Sequence, residues 1–233
     1  MSNITTIIFD LDGTLTNTLT DIAASTNYAL TQMGWPERTI DEVRRFVGNG
    51  VRRLIEQAVP QQAATAADVD RCLALFREHY VKNCQCSTCL YDGIDDLLHQ
   101  LRRLGYRLAI VSNKMQSGVD ELYKAFFSDV IELAVGERPG IARKPDAAML
   151  EFTMAEMGVS KDECVYVGDS EVDLLTAQNT GIPCISVLWG FRDKGILSAH
   201  GATTFAEHPS DILKLIKAPS NSPKGEGCKD VKM

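Results

Sequence analysis

The 233-residue sequence lacks the features that identify nucleic-acid-binding and membrane-spanning chains. No run of Lys or Arg is longer than two residues, and 31 acidic against 24 basic residues give a net charge of −7. Binding to a phosphate backbone requires a concentrated basic surface, so we expect no nucleic acid partner. No apolar stretch approaches the roughly 18–20 residues that span a bilayer, so we expect no membrane association.

The sequence also lacks the features of a secreted protein. Its first residues, MSNITTIIFDLDG, contain no basic segment and no small-residue cleavage site, which argues against a signal peptide. Cysteine occurs in an odd number, seven, as is typical of free thiols in a reducing compartment. We therefore predict a cytoplasmic protein. The spacing of Cys84, Cys86 and Cys89 leaves three hypotheses open: incidental thiols, a structural soft-metal site or a redox-active clip.

The composition, 45% hydrophobic and 24% charged, is typical of a globular chain with a sizeable core. Apolar runs that indicate buried strands occupy residues 4–11, 106–112, 129–135, 163–168 and 182–188. Helical periodicity separates the later strands, at residues 93–104, 116–126, 146–158 and 171–179. After the first strand the pattern is helical only, at residues 18–33, 39–46, 50–59 and 67–83.

This alternation predicts an α/β fold, a Rossmann-like doubly wound parallel sheet with an inserted all-helical cap domain. We expect residues 1–17 and 91–216 to form the core and residues 18–90 the cap. Residues 217–233, rich in Pro, Gly, Ser and Lys, are expected to form a flexible tail. The oligomeric state is left open between monomer and homodimer.

Chemically active side chains follow several of the predicted strands. In a parallel sheet the carboxyl ends of the strands lie at one edge, where ligands bind. The residues at or near these ends are Asp10, Asp12, Gly13, Thr14, Ser112, Asn113, Asp169 and Asp173, with Lys144 in the loop before a helix. Crowded carboxylates repel one another unless a cation lies among them, and Mg²⁺ prefers such oxygen ligands. The hydroxyl and backbone N–H groups, with the permissive backbone of Gly13, suit phosphate oxygens. We therefore expect phosphoryl transfer through an aspartyl-phosphate.

Four motifs carry a family resemblance: FDLDGTLTNT, VSNK, ARKPD and VGDSEVD. With them the chain resembles the haloacid dehalogenase-like hydrolases over nearly its whole length. The resemblance implies that Asp10 is the nucleophile and that Asp12 protonates the leaving group and then activates water. It implies that Ser112, Lys144 and the backbone of Asn113 bind the phosphoryl group. The implied metal ligands are Asp10, the backbone carbonyl of Asp12 and Asp169, with Asp173 ordering the metal's waters.

The predicted cap suggests the substrate. Its Gly48-Asn49-Gly50 turn resembles the cap loop of phosphoglycolate phosphatases. The N–H groups of this turn, with Asn49 and Arg52 or Arg53, suit a small carboxylate. The expected partner is therefore a small phosphorylated metabolite, most readily 2-phosphoglycolate. The alternatives are pyrophosphate, nucleotide or sugar phosphate hydrolysis, a phosphomutase, or a phosphate-binding module without catalysis.

Overall fold

The computed structural model describes residues 4–60 and 64–216, and the predicted tail lies outside them. The strands are β1 (Thr6–Phe9), β2 (Thr16–Asn17), β3 (Cys89–Leu90), β4 (Arg107–Met115), β5 (Leu133–Glu137), β6 (Cys164–Gly168), β7 (Cys184–Val187) and β8 (Phe205–Ala206). The α-helices are α1 (Leu19–Gln32), α2 (Ile40–Phe46), α3 (Gly50–Ala58), α4 (Ala66–Asn83), α5 (Ile94–Arg103), α6 (Gln116–Phe126), α7 (Ala148–Met157), α8 (Glu171–Thr180), α9 (Lys194–Ala199) and α10 (Pro209–Ile216).

The core is a six-stranded sheet in the order β5-β4-β1-β6-β7-β8, and every neighbouring pair is parallel. Ile7, Ile8 and Phe9 of β1 are fully buried because helices cover both faces of the sheet. Ile7 and Phe9 face one apolar cluster and Ile8 faces the other, as the alternation of a strand requires. The predicted Rossmann-like fold class is confirmed. Since β1 is central, the residues that follow it lie in the middle of the sheet edge.

Helices α1–α4 form the cap and bury an apolar cluster of their own. The cluster consists of residues such as Leu30, Ile55 and Phe76. Between cap and core, β2 and β3 pair antiparallel where the chain leaves the core and where it returns. The two chain segments that connect the cap to the core therefore run side by side.

Asp21, in the first turn of α1, fastens the returning chain to the cap. Its buried carboxylate accepts hydrogen bonds from the backbone N–H groups of Ser87 and Thr88 and from the Thr88 hydroxyl, at 2.8–3.0 Å. A carboxylate with this many donors is well compensated for its burial.

One predicted strand is misplaced. Residues 129–135 were expected to be extended, but β5 comprises Leu133–Glu137 and the preceding apolar residues lie in a turn. The N–H groups of Val130 and Ile131 both donate to the Phe127 carbonyl, so these two side chains reach the core without joining the sheet. The short strands β2, β3 and β8 and the helices α9 and α10 have no counterpart in the sequence prediction.

No helix within the two described ranges, 4–60 and 64–216, is both long enough and apolar enough to cross a membrane.

Candidate active site

Asp10 and Asp12 follow the central strand directly. Asp10 is buried, and its backbone N–H donates to the carbonyl of Val167 in β6, which continues the sheet pairing by one residue. The chain then turns at Gly13, whose φ of +92° is strained for other residues. A Cβ at Gly13 would lie 2.4 Å from Asp169 Oδ2, so the glycine also allows the two loops to approach.

Lys144 lies at the centre of the carboxylate cluster. Its side chain is 2% exposed, and its ammonium donates to Asp10 Oδ1 at 2.8 Å, Asp173 Oδ1 at 2.7 Å and the Tyr166 hydroxyl at 2.9 Å. All three N–H groups of the ammonium therefore have acceptors. Burial opposes the charge on Lys144, but Asp10 and Asp173 outweigh it and raise the pKa of this lysine above its usual value.

The segment from the end of β6 to the first turn of α8 holds the other two carboxylates. Asp173 forms a capping box with Ser170, whose N–H and hydroxyl donate to Asp173 Oδ2 at 3.1 and 2.6 Å. Asp169 Oδ2 accepts from the N–H of Phe191 at 2.6 Å, and Oδ1 accepts from the Thr14 hydroxyl at 3.4 Å. Both carboxylates are therefore fixed by donors around them.

A divalent cation fits the cluster of Asp10, Asp169 and Asp173. One carboxylate oxygen from each residue lies within 4.8 Å of the others, and all three residues are buried. Burial raises the pKa of Asp10 to about 7, with Lys144 opposing and Asp173 and Asp12 adding to the increase. Burial, with the neighbouring carboxylates of Asp173 and Asp10, raises the pKa of Asp169 well above its usual range. Such crowding is relieved when a hard cation with oxygen ligands is bound.

In the described part of the chain, this is the one cluster of His, Cys, Asp or Glu with ligand atoms close enough for a metal. Cys84 is buried while Cys86 and Cys89 are exposed, and they form no such cluster.

Ser112 and Asn113, at the end of β4, have different tasks. The Ser112 hydroxyl accepts from the N–H of Lys114 at 3.2 Å and lines the central cavity, which leaves its own O–H for a ligand oxygen. The Asn113 amide joins three segments: it accepts from Lys144 N at 2.9 Å and donates to the carbonyls of Lys144 at 2.9 Å and Gly48 at 3.1 Å. Asn113 thus links the sheet edge both to the Lys144 loop and to the cap.

Lys114 extends from the same strand toward Asp12. Its ammonium lies 2.9 Å from Asp12 Oδ1 and 3.2 Å from Oδ2, and it also contacts the hydroxyl of Tyr80 on cap helix α4. Burial opposes the charge, but Asp12 and Tyr80 raise the pKa of Lys114 above its usual value.

These groups surround a cavity of about 60 Å³ between core and cap. Its charged and amide side chains come from the core, and most of its apolar side chains come from the cap. The polar walls are Asp10, Asp12, Ser112, Asn113, Lys114, Lys144, Asp169 and Ser170. The apolar walls include Ile22, Val47, Val51, Leu54, Phe76, Met115 and Phe191. The cavity therefore offers one end to a charged group and the other to the remainder of a small molecule.

Arg192 links the core to the C-terminal end of α2 in the cap, beside this cavity. From its place after β7 it pairs with Glu171 at 2.9 Å, and it donates to the backbone carbonyls of Arg44 at 2.9 Å and Val47 at 2.8 Å. The residue is buried and its side chain also lines the cavity. A planar guanidinium with several donors is well suited to join a carboxylate to two carbonyls.

The cap residues predicted to face the substrate are only partly brought to the cavity. Gly48 and Gly50 line it, and Asn49 lies between them at the N-terminus of α3 but is not among the lining residues. Arg52 does not reach it, because Val51 and Leu54 occupy the inward face of α3. Its side chain is 48% exposed and contacts Asp70 on the outside of the cap.

Two residues predicted to bind phosphate lie against Asp169 instead. Gly13 and Thr14 contact Asp169 and do not line the cavity. The indole N–H of Trp189 donates to the Thr14 carbonyl at 3.0 Å, which holds this turn against the strand end after β7.

The cavity residues that the sequence prediction missed include Lys114, Arg192 and Tyr80. Lys114 was identifiable, because it is two residues after Ser112 in an extended strand and so shares its side. Arg192 follows the end of β7, where the same strand-end reasoning applies. Tyr80 had no sequence signal, since its place depends on how α4 packs over the sheet.

Comparison with known proteins agrees with this geometry. Residues 7–187 match the family model described as haloacid dehalogenase-like hydrolase. The chain therefore belongs to the haloacid dehalogenase-like hydrolases, as the four motifs predicted. Within the family it is similar to proteins named phosphoglycolate phosphatase. One from Pseudomonas putida is 32% identical over 91% of this chain and 77% of the relative, and one from Mesorhizobium japonicum is 35% identical over 82% and 85%.

A crystal structure of a protein from Lactobacillus delbrueckii subsp. bulgaricus superposes with a TM-score of 0.87 at 34% identity. It covers 93% of this chain and 99% of the other. The agreement therefore extends over the cap as well as the core.

Proposed function

We propose that this chain hydrolyses phosphate monoesters through an aspartyl-phosphate on Asp10, with 2-phosphoglycolate as the substrate. The observation that carries the proposal is the placement of Asp10. Its carboxylate lies at the polar end of the cavity, beside the Lys144 ammonium and within the carboxylate cluster suited to a cation. The relatives named phosphoglycolate phosphatase support the choice of substrate.

The first half-reaction transfers the phosphoryl group to the protein. An Asp10 oxygen forms a bond to phosphorus as the bond from phosphorus to the leaving oxygen breaks. Asp12, two residues further along, gives a proton to that oxygen, and the product leaves as an alcohol. Ser112 and Lys144, which line the cavity, are the groups proposed to stabilise the charge on the phosphoryl oxygens.

The second half-reaction restores the protein. Asp12, now a carboxylate, takes a proton from the water that attacks phosphorus, and the bond to Asp10 breaks to release inorganic phosphate. The cap covers the cavity, which excludes other water while the acyl phosphate exists.

Mg²⁺ is the proposed cation. Asp10, the backbone carbonyl of Asp12 and Asp169 would hold it, with Asp173 beside it, and when bound it would neutralise phosphoryl and carboxylate charge. The proposed domains remain residues 1–17 and 91–216 for catalysis and residues 18–90 for substrate selection. The proposed location is the cytoplasm, where free cysteines persist.

The test is phosphate release from a panel of phosphorylated compounds with Mg²⁺ and with EDTA. The panel contains 2-phosphoglycolate, pyrophosphate, nucleoside monophosphates and hexose phosphates. We expect Mg²⁺-dependent release and the highest kcat/KM for 2-phosphoglycolate. A flat profile, or pyrophosphate as the best substrate, would contradict the substrate assignment. Release from none of the compounds would contradict the phosphatase assignment.

A further inference from the structure

Each of the two buried lysines of the cavity pairs with one of the two aspartates of the first motif. Lys144 pairs with Asp10 at 2.8 Å, and Lys114 pairs with Asp12 at 2.9 Å. The proposed function uses Lys144 and gives Lys114 no task.

The surroundings of Lys114 place its ammonium closely. Its side chain is 3% exposed, and both oxygens of Asp12 lie within 3.2 Å of Nζ. The aliphatic part of the side chain runs over Gly118 in α6, where an added Cβ would lie 3.2 Å from Lys114 Cε. The ammonium therefore has little freedom to move away from Asp12.

The remaining contact of Lys114 comes from the cap. Tyr80 is fully buried in α4, its hydroxyl contacts Nζ, and Nζ lies 4.6 Å from the centre of the tyrosine ring. Tyr80 also stacks on Phe76 inside the cap, with ring centres 5.4 Å apart. The ring is thus fixed by the cap while the hydroxyl reaches a core lysine, so Lys114 connects the cap to Asp12.

We propose that Lys114 is a positioning residue that holds the Asp12 carboxyl group at the leaving-group oxygen, and that Tyr80 makes this positioning depend on the cap. The inference rests on the proposed function, because the role of Lys114 is defined by the proton transfer from Asp12. Any separation of the cap from the core would withdraw Tyr80 and remove one of the three contacts of Lys114 Nζ. With the cap docked as in this structure, Tyr80 fixes Lys114 Nζ, and Nζ in turn contacts both oxygens of Asp12.

The proposal predicts a dependence on the leaving group. An alkoxide needs a proton as its bond to phosphorus breaks, so an alkyl phosphate requires a correctly placed Asp12. Nitrophenolate departs without a proton, so p-nitrophenyl phosphate does not. Because kcat/KM reports the steps up to the first irreversible one, it isolates transfer to Asp10 from the later hydrolysis.

The experiment compares kcat/KM of the full chain for these two kinds of substrate. The alkyl phosphate is the one that the wild type hydrolyses best in the panel, and the aryl phosphate is p-nitrophenyl phosphate. The variants are Lys114→Met and Tyr80→Phe. Their controls are Lys124→Met, an exposed α6 lysine paired with Glu121, and Tyr28→Phe, an exposed cap tyrosine.

We expect Lys114→Met to lower kcat/KM for the alkyl phosphate on the order of 10²-fold, the low end of the contribution of a general acid. For p-nitrophenyl phosphate we expect a loss of less than about tenfold. Tyr80→Phe, which keeps the ring and the fold, should show the same selectivity with a smaller loss. Both controls should match the wild type with both substrates.

Equal losses with the two substrates in Lys114→Met and Tyr80→Phe would overturn the inference, since a purely structural role lowers both in proportion. Unchanged kinetics in both variants would overturn it as well. In either case phosphate release by the wild type would leave the proposed function standing. A wild type that releases no phosphate from any substrate would end the proposed function and this inference together.

Discussion

Removing the Lys144 ammonium should destabilise the protein far more than removing a surface lysine. In Lys144→Met the buried carboxylates of Asp10 and Asp173 lose the donor that lies 2.8 and 2.7 Å from them. Leaving a buried charge uncompensated costs about 3–5 kcal/mol. For a chain of this size that corresponds to a fall in Tm of about 6–20 °C.

The matched control is Lys161→Met. This lysine pairs with Glu151 at 3.1 Å, but both side chains are about half exposed. Exposed pairs contribute about 0–1 kcal/mol, so Tm should fall by less than about 4 °C. Thermal unfolding in EDTA, followed by circular dichroism, compares the two variants with the wild type. Equal shifts for both variants would refute the idea that Lys144 neutralises a buried carboxylate cluster.

The deficit of Lys144→Met should also grow with pH. Burial already raises the pKa of Asp10 to about 7 while Lys144 opposes the increase, so without the ammonium this pKa rises further. Near neutrality, the native state of Lys144→Met then binds more protons than the native state of the wild type. The stability of the variant relative to the wild type therefore falls as the pH rises. Repeating the melts at pH 5.5 and 8 measures this; a deficit that shrinks at the higher pH would contradict the sign.

Three further outcomes are expected. Gly190→Ala should cost about 1–3 kcal/mol and weaken metal binding, because the new Cβ would lie 2.3 Å from Asp169 Cβ. Gly195→Ala, whose Cβ would meet the side chain of Asp193 at 3.2 Å, should change both much less; urea unfolding and Mg²⁺ titration compare the two variants. Mg²⁺ affinity measured by calorimetry should rise from pH 6 to pH 8, since Asp10, with a pKa raised to about 7, and Asp169, whose pKa is also raised, must lose their protons to bind. Asp10→Asn should reduce this dependence by removing one of the two protons. Arg192→Gln should raise KM more than it lowers kcat, because it removes the guanidinium hydrogen bonds of 2.8–2.9 Å to the carbonyls of Arg44 and Val47 in the cap. An unchanged KM in steady-state kinetics would count against that role.

Reasoning from strand ends predicted much of the core site. Because β1, β4 and β6 are parallel neighbours, Asp10, Ser112 and Asp169 had to meet at one edge once those strands were identified. The sequence could not show where the cap residues point. Arg52 faces outward because α3 turns Val51 and Leu54 inward, and this rotation is decided by packing between helices and not by composition.

The misplaced β5 has a similar physical origin. Val130 and Ile131 lie in a turn with their apolar side chains in the core. Hydrophobicity alone does not distinguish buried turn residues from buried strand residues. Tyr80 is a further case. Its burial follows from the apolar pattern of α4, but its hydroxyl meets Lys114 only through the docking of the cap on the sheet.

The nucleophile can be tested directly by isolating the phosphorylated protein. Asp12→Asn should slow the hydrolysis of the acyl phosphate while p-nitrophenyl phosphate, which needs no proton on its leaving group, still reacts. Acid-quenched protein would be digested and examined by mass spectrometry. The proposed function predicts a mass gain of one phosphoryl group on the peptide that contains Asp10, and no gain in Asp10→Asn. Nitrophenol release without that mass gain, or with the phosphoryl group on another residue, would contradict it.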